Sequence, residues 1–333
     1  MKIVIDNKIP YIRESLSRMG VEAVYLGGKD ISRDDVADAD ALVVRTRTRC
    51  DARLLEGSRV RFIATATIGY DHLDTDYLAH AGIEWMNCPG CNAASVGQYV
   101  RSVLLLLAKN YGLRLKETTM GIVGCGHVGS VVKTVAREMG MRVLVCDPPK
   151  GLPGYVDMDM LAAEADVLSF HVPLTYAQPY ATYHLCDADF LGSLARKPFI
   201  INTSRGEVVD NCALLKALRS GKVKQAVIDT WENEPDIDRE LLEAVYIGTP
   251  HIAGYSADGK VNADNMVIDG LCRFFNLPHP GLIVPPPLPE GFKYTGDPLQ
   301  LYNPLTDSER LKSAPERFEE LRGNYPLRRE RAE

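Results

Sequence analysis

The chain has 333 residues, 46% hydrophobic and 25% charged, with a formal net charge of −6 from 38 basic and 44 acidic side chains. That length makes two domains and a small further piece, and the composition can bury a sizeable core. The charge balance excludes a nucleic-acid footprint, and no apolar run is long enough to span a membrane. Met1-Lys2-Ile3-Val4-Ile5-Asp6 runs straight into a strand and has no secretory pattern. Cysteines are scattered, several in apolar runs (Cys146, Cys272), which suits a reducing cytoplasm better than a disulfide framework. Cys88-Pro89-Gly90-Cys91 matches C-x-x-C, but no second cysteine or histidine pair stands at ligand spacing, so no metal site is expected.

From the N-terminus, short apolar runs alternate with helical patterns. Strands are predicted at 2–5, 41–45, 61–64 and 83–86, and helices at 11–20, 51–57 and 72–82. Such alternation implies a parallel sheet covered on both faces, with ligands at the carboxyl ends of its strands. Two loops there offer hydroxyls or arginines to a polar substrate: Arg45-Thr46-Arg47-Thr48 and Thr65-Ala66-Thr67-Ile68-Gly69. A long helical pattern at 92–110, with Val96, Val100, Val103, Leu104 and Leu107 on one face, links this block to the next.

The next stretch, 119–149, organises the chain. Met120, Ile122 and Val123 lead into Gly124-Cys125-Gly126-His127-Val128-Gly129; Val128, Val131, Val132, Val135 and Met139 follow at helical spacing; Val143-Leu144-Val145-Cys146 ends on Asp147. Strand, glycine turn, helix, strand and acid in that order form the dinucleotide fingerprint. Gly124 permits the turn, Gly126 admits the pyrophosphate, and Gly129 lets helix and strand pack closely. The helix N-terminus faces the phosphates with its free N–H groups. Asp147 stands near the offset of about 20 residues expected of the ribose-binding carboxylate, and its charge favours NAD over NADP.

Further strands are predicted at 167–170, 199–202, 225–229 and 245–249, with helices at 158–164, 187–196, 211–220 and 257–275. The proline-rich run 277–290 cannot continue a helix and reads as a linker. The polar tail beyond it carries a predicted helix at 315–323 and an arginine cluster at Arg328, Arg329 and Arg331. It reads either as a solvated appendage or as a small oligomerisation element.

Three residues stand after predicted strands: Arg205, Glu234 and His251. On one parallel sheet those ends converge on one crevice. Moving hydride from a 2-hydroxy acid needs these types. A guanidinium grips the carboxylate, an imidazole exchanges the hydroxyl proton, and an acid steadies the imidazolium and fixes its tautomer. Each alone also has an ordinary structural reading, Arg205 as a partner of Asp210, for example.

Five motifs resemble the D-isomer-specific 2-hydroxyacid dehydrogenases: Gly124-Cys125-Gly126-His127-Val128-Gly129; His171-Val172-Pro173-Leu174-Thr175; the run from Asn202 to Asp210; Asp229-Thr230-Trp231-Glu232-Asn233-Glu234-Pro235; and Thr249-Pro250-His251-Ile252-Ala253-Gly254-Tyr255. The similarity extends from the N-terminus to about residue 280. Val44-Arg45-Thr46, Cys88-Pro89-Gly90-Cys91-Asn92-Ala93 and Cys146-Asp147-Pro148-Pro149 narrow it to members acting on a small phosphorylated hydroxy acid in pyridoxal phosphate biosynthesis. Dehydrogenation of 3-phosphoglycerate, glycerate or D-lactate, or NAD(H) sensing without turnover, are the alternatives.

The resemblance implies α/β architecture: two Rossmann-like, doubly wound parallel-sheet domains flanking a cleft, plus a short C-terminal appendage. It implies a substrate (lid) domain at 1–92 plus 256–280, an NAD-binding domain at 93–255, and a linker with a shortened dimerisation-like tail at 281–333, with hinges near Asn92 and Ser256. Arg205, Glu234 and His251 are the implied catalytic residues. NAD is the implied cofactor, held by Gly124, Gly126, His127, Val128, Gly129, Asp147, Val172, Thr203, Ser204, Arg205, Asp229 and Gly254. Substrate contacts fall to Thr46, Thr67 and Tyr255, and the protein is expected to be a cytoplasmic homodimer. Two departures stand out: Thr46 replaces the family's usual serine, and the tail is shorter than its dimerisation domain, echoing it only in runs such as 301–304 and 321–330.

Overall fold

A computed structural model describes residues 1–332. The chain divides into two compact units, Met1–Asn92 with Ser256–Leu288, and Ala93–Tyr255 with the stretch from Pro289 on. Each has its own parallel sheet, and the architecture is α/β throughout.

In the first unit five strands lie in the order β2-β1-β3-β4-β5. They are β1 (Lys2–Asp6), β2 (Glu22–Leu26), β3 (Ala41–Val44), β4 (Phe62–Thr65) and β5 (Glu84–Met86). The inner strands β3 and β4 are buried along their whole length, as continuous apolar runs should be when helices cover both faces. The sequence does not flag β2: as the sheet's edge it is half-buried, so it lacks an unbroken apolar run. The helix Ala257–Phe275, distant in sequence, completes this unit: Val267, Ile268 and Leu271 are buried against Ile5, Val43 and Ala64, and Phe274 stacks on Phe62 at 4.8 Å.

The second unit has six strands in the order β11-β10-β9-β8-β6-β7. They are β6 (Thr119–Val123), β7 (Arg142–Cys146), β8 (Val167–Phe170), β9 (Phe199–Asn202), β10 (Gln225–Ile228) and β11 (Ile247–Gly248). The chain leaves β6 toward one edge to form β7, then returns past it to β8. That reversal is the switch point at which open α/β sheets bind ligands. The helix Ala93–Tyr111 buries Val96, Val100, Val103, Leu104 and Leu107 against Met120, Ile122 and Val132 of the sheet and its first helix. After the proline-rich run the tail folds back onto this unit. Helices Pro304–Ser313 and Phe318–Gly323 bury Leu311 and Phe318 in the same core as Trp231, Leu241 and Leu242. The tail is thus packed structure rather than a solvated appendage. Among the described residues, no helix is long and apolar enough to cross a membrane.

Candidate active site

The glycine turn stands at the carboxyl end of β6. Gly124 has φ +84°, and a Cβ there would lie 2.6 Å from the His171 carbonyl oxygen and from Val172 Cγ1. At Gly129 a Cβ would lie 2.0 Å from the Gly124 carbonyl oxygen, so any side chain would force the helix off the strand. A Cβ on Gly126 meets nothing within 4 Å, so the turn is open where a pyrophosphate would approach. The helix His127–Glu138 begins here without a side-chain cap, leaving its first N–H groups to a ligand. Asp147 ends the neighbouring β7, and its Oδ2 accepts the Cys125 N–H at 2.8 Å, which sets the carboxylate beside the turn. Thr203, after β9, meets His171, whose carbonyl stands against Gly124; Thr203 Oγ1 and His171 Nδ1 are 3.4 Å apart. His171 is buried and its other ring nitrogen lies 2.8 Å from Ser169 Oγ; burial pushes its pKa down to about 3, so the ring is neutral here. These residues fit a dinucleotide. Ser204 is turned inward instead, its hydroxyl on Asn202 Oδ1 at 2.8 Å.

Arg205, Glu234 and His251 follow β9, β10 and β11, three adjacent strands, at one edge of the sheet. Their loops are locked together. A Cβ on Gly206 would sit 2.0 Å from the backbone carbon and oxygen of Trp231, so the Arg205 loop lies hard against the Glu234 loop. The indole N–H of buried Trp231 donates to the Thr249 carbonyl at 2.9 Å, tying the Glu234 loop to the His251 loop. The Trp231 backbone N–H donates to Glu234 Oε1 at 3.0 Å. The other carboxylate oxygen, Oε2, lies 2.8 Å from His251 Nδ1. Nδ1 donating to the acid presents Nε2 as the site of proton exchange. Burial would raise the Glu234 carboxyl, but His251, the Trp231 N–H and Arg322 outweigh it, and the pKa stands below the ordinary value.

His251 itself has φ +56°, a left-handed conformation that costs a non-glycine residue about 1–3 kcal/mol. Asp229 holds it there. Its carbonyl accepts the His251 N–H at 2.8 Å; its carboxylate accepts the Thr249 hydroxyl at 2.6 Å and the N–H groups of Ile252 and Ala253 at 2.8 and 3.0 Å. Asp229 is fully buried, and that burial raises its pKa in spite of these bonds. The tail closes the other side of the loop. The buried Arg328 guanidinium donates to the carbonyls of Ile252 (3.0 Å), Ala253 (2.6 Å) and Tyr255 (2.8 Å), and lies 3.9 Å over the Tyr302 ring. Arg322 reaches Glu234 Oε2 at 3.5 Å.

The sequence assigns no role to His171, Trp231, Arg322 or Arg328, although His171 and Trp231 stand in family motifs and Arg328 in the arginine cluster of the tail. Trp231 lies within the Asp229–Pro235 motif, but as an apolar residue it carries no chemical signal. The two arginines lie about 70 residues beyond His251 in a polar tail, where nothing local points back to the loop.

In the first unit, Thr67 Oγ1 lies 2.7 Å from Thr65 Oγ1 and donates to the Gly69 carbonyl at 2.9 Å. Thr46 is exposed in the loop after β3. Arg45 is committed to buried Asp6 through both Nε (3.1 Å) and Nη2 (3.4 Å). Arg47 instead lines a cavity of about 370 Å³ together with Lys29, Arg33, Arg49 and Arg53.

A family model described as the NAD-binding domain of D-isomer specific 2-hydroxyacid dehydrogenases matches residues 98–253. The erythronate-4-phosphate dehydrogenase of Bacteroides thetaiotaomicron is 55% identical over 99% of this chain and 97% of its own length. That of Porphyromonas gingivalis is 42% identical over 99% and 94%. The tail is therefore shared with relatives of closely similar length. Among solved structures, the NAD+-bound 3-phosphoglycerate dehydrogenase of Entamoeba histolytica superposes with a TM-score of 0.71 at 28% identity, covering 83% of this chain and 95% of that one.

Proposed function

Because the chain belongs to the erythronate-4-phosphate dehydrogenase family of D-isomer-specific 2-hydroxyacid dehydrogenases, we propose that it oxidises 4-phospho-D-erythronate to 2-oxo-3-hydroxy-4-phosphobutanoate with NAD, a step toward pyridoxal phosphate. The observation that carries the reading is the His251–Glu234 pair, 2.8 Å apart, on the carboxyl-end side of the same parallel sheet whose other strands lead into Arg205 and the open glycine turn. NAD supplies the hydride acceptor; Gly124, Gly126, His127, Val128 and Gly129 would cradle its phosphates, Asp147 its ribose, and Val172, Thr203, Arg205 and Gly254 complete that set, while the side chains of Ser204 and Asp229, expected among the cofactor contacts, are instead spent on Asn202 and on the His251 loop.

Arg205 clamps the substrate carboxylate, its planar fork matching both oxygens. His251 takes the C2 hydroxyl proton on Nε2, and Glu234 stabilises the imidazolium that results. Thr46, Thr67 and Tyr255 position the remainder of the substrate. The phosphate is assigned to the cavity that Arg47 lines with Lys29, Arg33, Arg49 and Arg53, five basic residues against one acid, Asp51. In domain terms, 1–92 with 256–280 serves the substrate and 93–255 serves NAD. Eight free thiols, seven of them buried, support a cytoplasmic setting. A homodimer is supported by the exposed rings of Tyr176, Tyr180 and Tyr183 on one loop, and sedimentation showing only monomer would remove it.

The test is NADH formation across a panel of 4-phospho-D-erythronate, 3-phosphoglycerate, glycerate and D-lactate. The expected preference is for the first. His251→Asn should lower kcat by on the order of 10²–10⁴ with NAD affinity kept. Near wild-type turnover by that variant would remove His251 from the mechanism.

A further inference from the structure

The Glu234–His251 pair has a third member that comes from the far end of the chain. The helix Phe318–Gly323 is held on the second unit by Phe318, buried among Leu241, Leu242 and Trp231. Five residues beyond it, Arg328 fastens the following segment to the carbonyls of Ile252, Ala253 and Tyr255. Between those anchors Arg322 projects to Glu234 Oε2 at 3.5 Å, the oxygen that also meets His251 Nδ1 at 2.8 Å, and it hydrogen-bonds the Tyr255 side chain. The three side chains are largely shielded: Arg322 is 20% exposed, Glu234 16% and His251 27%.

We propose that Arg322 is a positioning residue of the dehydrogenase reaction, which fixes Glu234 and Tyr255 relative to His251 and competes with His251 for the Glu234 carboxylate. This rests on the reading of His251 as the base. The physical reason is a competition for one carboxylate. Glu234 alone favours an imidazolium; a guanidinium on the same oxygen weakens that pull and adds its own repulsion. Among the described residues, the charged and titratable groups set at the pair include Glu234 on the β10 loop, Asp229 after β10, Tyr255 on the His251 loop and Arg322 from the tail, with Arg205 on the neighbouring loop assigned to the substrate carboxylate. Asp229 is occupied by Thr249, Ile252 and Ala253. Arg322 is the cation in direct contact with the Glu234 carboxylate, at 3.5 Å. Arg322 in turn stays charged: burial works against its proton, but Tyr255 and Glu234 hold it and its pKa is raised.

The sign follows. Oxidation needs His251 unprotonated, so activity falls on the acid side as His251 gains its proton. Removing Arg322's charge strengthens Glu234's hold on the imidazolium and moves that acid limb to higher pH. The experiment is the pH profile of kcat/KM for oxidation by wild type, Arg322→Gln, Arg322→Lys and, as a control on the same helix segment, Arg317→Gln. Arg317 pairs with exposed Glu320.

For Arg322→Gln, a shift of about 0.5–1 pH unit toward alkaline is expected, discounted for the partial exposure of the pair. Arg322→Lys should return most of the shift and Arg317→Gln should leave the limb in place. An unmoved limb in Arg322→Gln overturns the proposal, whether or not stability falls. An equal shift in the Gln and Lys variants also overturns it, because a purely structural loss would not distinguish charge. His251→Asn run in parallel separates the two readings. If that variant stays active, the assignment of the base has failed; if it is dead while Arg322→Gln keeps the wild-type profile, only the role of Arg322 has failed.

Discussion

Asp147 and Asp229 both carry a carboxylate after a strand of the second sheet, and their surroundings give them different work. Asp147 is half-buried beside the glycine turn, with Oδ2 on the Cys125 N–H. A carboxylate so placed accepts ribose hydroxyls and repels a 2′-phosphate. Asp147→Ala should therefore weaken NAD by roughly 10- to 100-fold, the worth of about 1.5–3 kcal/mol for a charged hydrogen bond, while NADP, freed of repulsion, loses less. The ratio of KM values for the two cofactors measures this, and an unchanged ratio would falsify the ribose assignment. Asp229 spends its carboxylate on the loop that holds His251 in a left-handed conformation. Its residue type was visible in the sequence; the burial that turns it into a loop anchor was not. The same holds for Glu234. Sequence order places it after a strand, but the lowered pKa comes from an imidazole, a backbone N–H and a guanidinium that only the fold brings to it.

Elements were legible to the extent that burial is continuous. Residues 41–44, 62–65, 167–170 and 199–202 are apolar runs because helices cover both faces, and they form the strands expected. The edge strand β2 has no such run, and the helices Arg33–Val36 and Arg239–Ala244 are too short for a 3.6-residue period to show. The helix Pro304–Ser313 was not among the predicted elements, although its start carries local signals. Asn303 caps it by accepting the Leu305 N–H at 3.1 Å, and Pro304 takes the first turn, where its missing N–H does no harm. Its sequence is too polar to suggest a buried face, yet Leu311 enters the core completely, and buried Ser308 accepts the Gly248 N–H at 3.0 Å beside the short edge strand β11. Long-range pairings of this kind leave no local periodicity, so the tail's contribution to the site had no signature in the residues around it.

At the scale of the whole molecule, every residue assigned to NAD lies in the second unit, while the exposed hydroxyl and the arginine-lined cavity assigned to the substrate lie in the first. Each unit has a separate core: Ile3, Ile5 and Phe62 belong to one, Met120, Phe199 and Tyr302 to the other. Ligands that bind one unit should therefore stabilise that unit by mass action, about 2.7 kcal/mol at a hundred times Kd, before they affect the other. Hydrogen exchange reads this directly, because local openings report local stability. With NAD alone, amides of 119–129 and 142–147 should slow, and those of 45–48 and 65–69 should keep their free rates. Adding the phosphorylated acid should then slow the second pair, since the loops carrying Thr46, Arg47 and Thr67 are the ones it would contact. If NAD alone protects 45–48 as strongly as it protects the glycine turn, the two units do not divide cofactor and substrate between them, and Arg47 loses its claim to the phosphate.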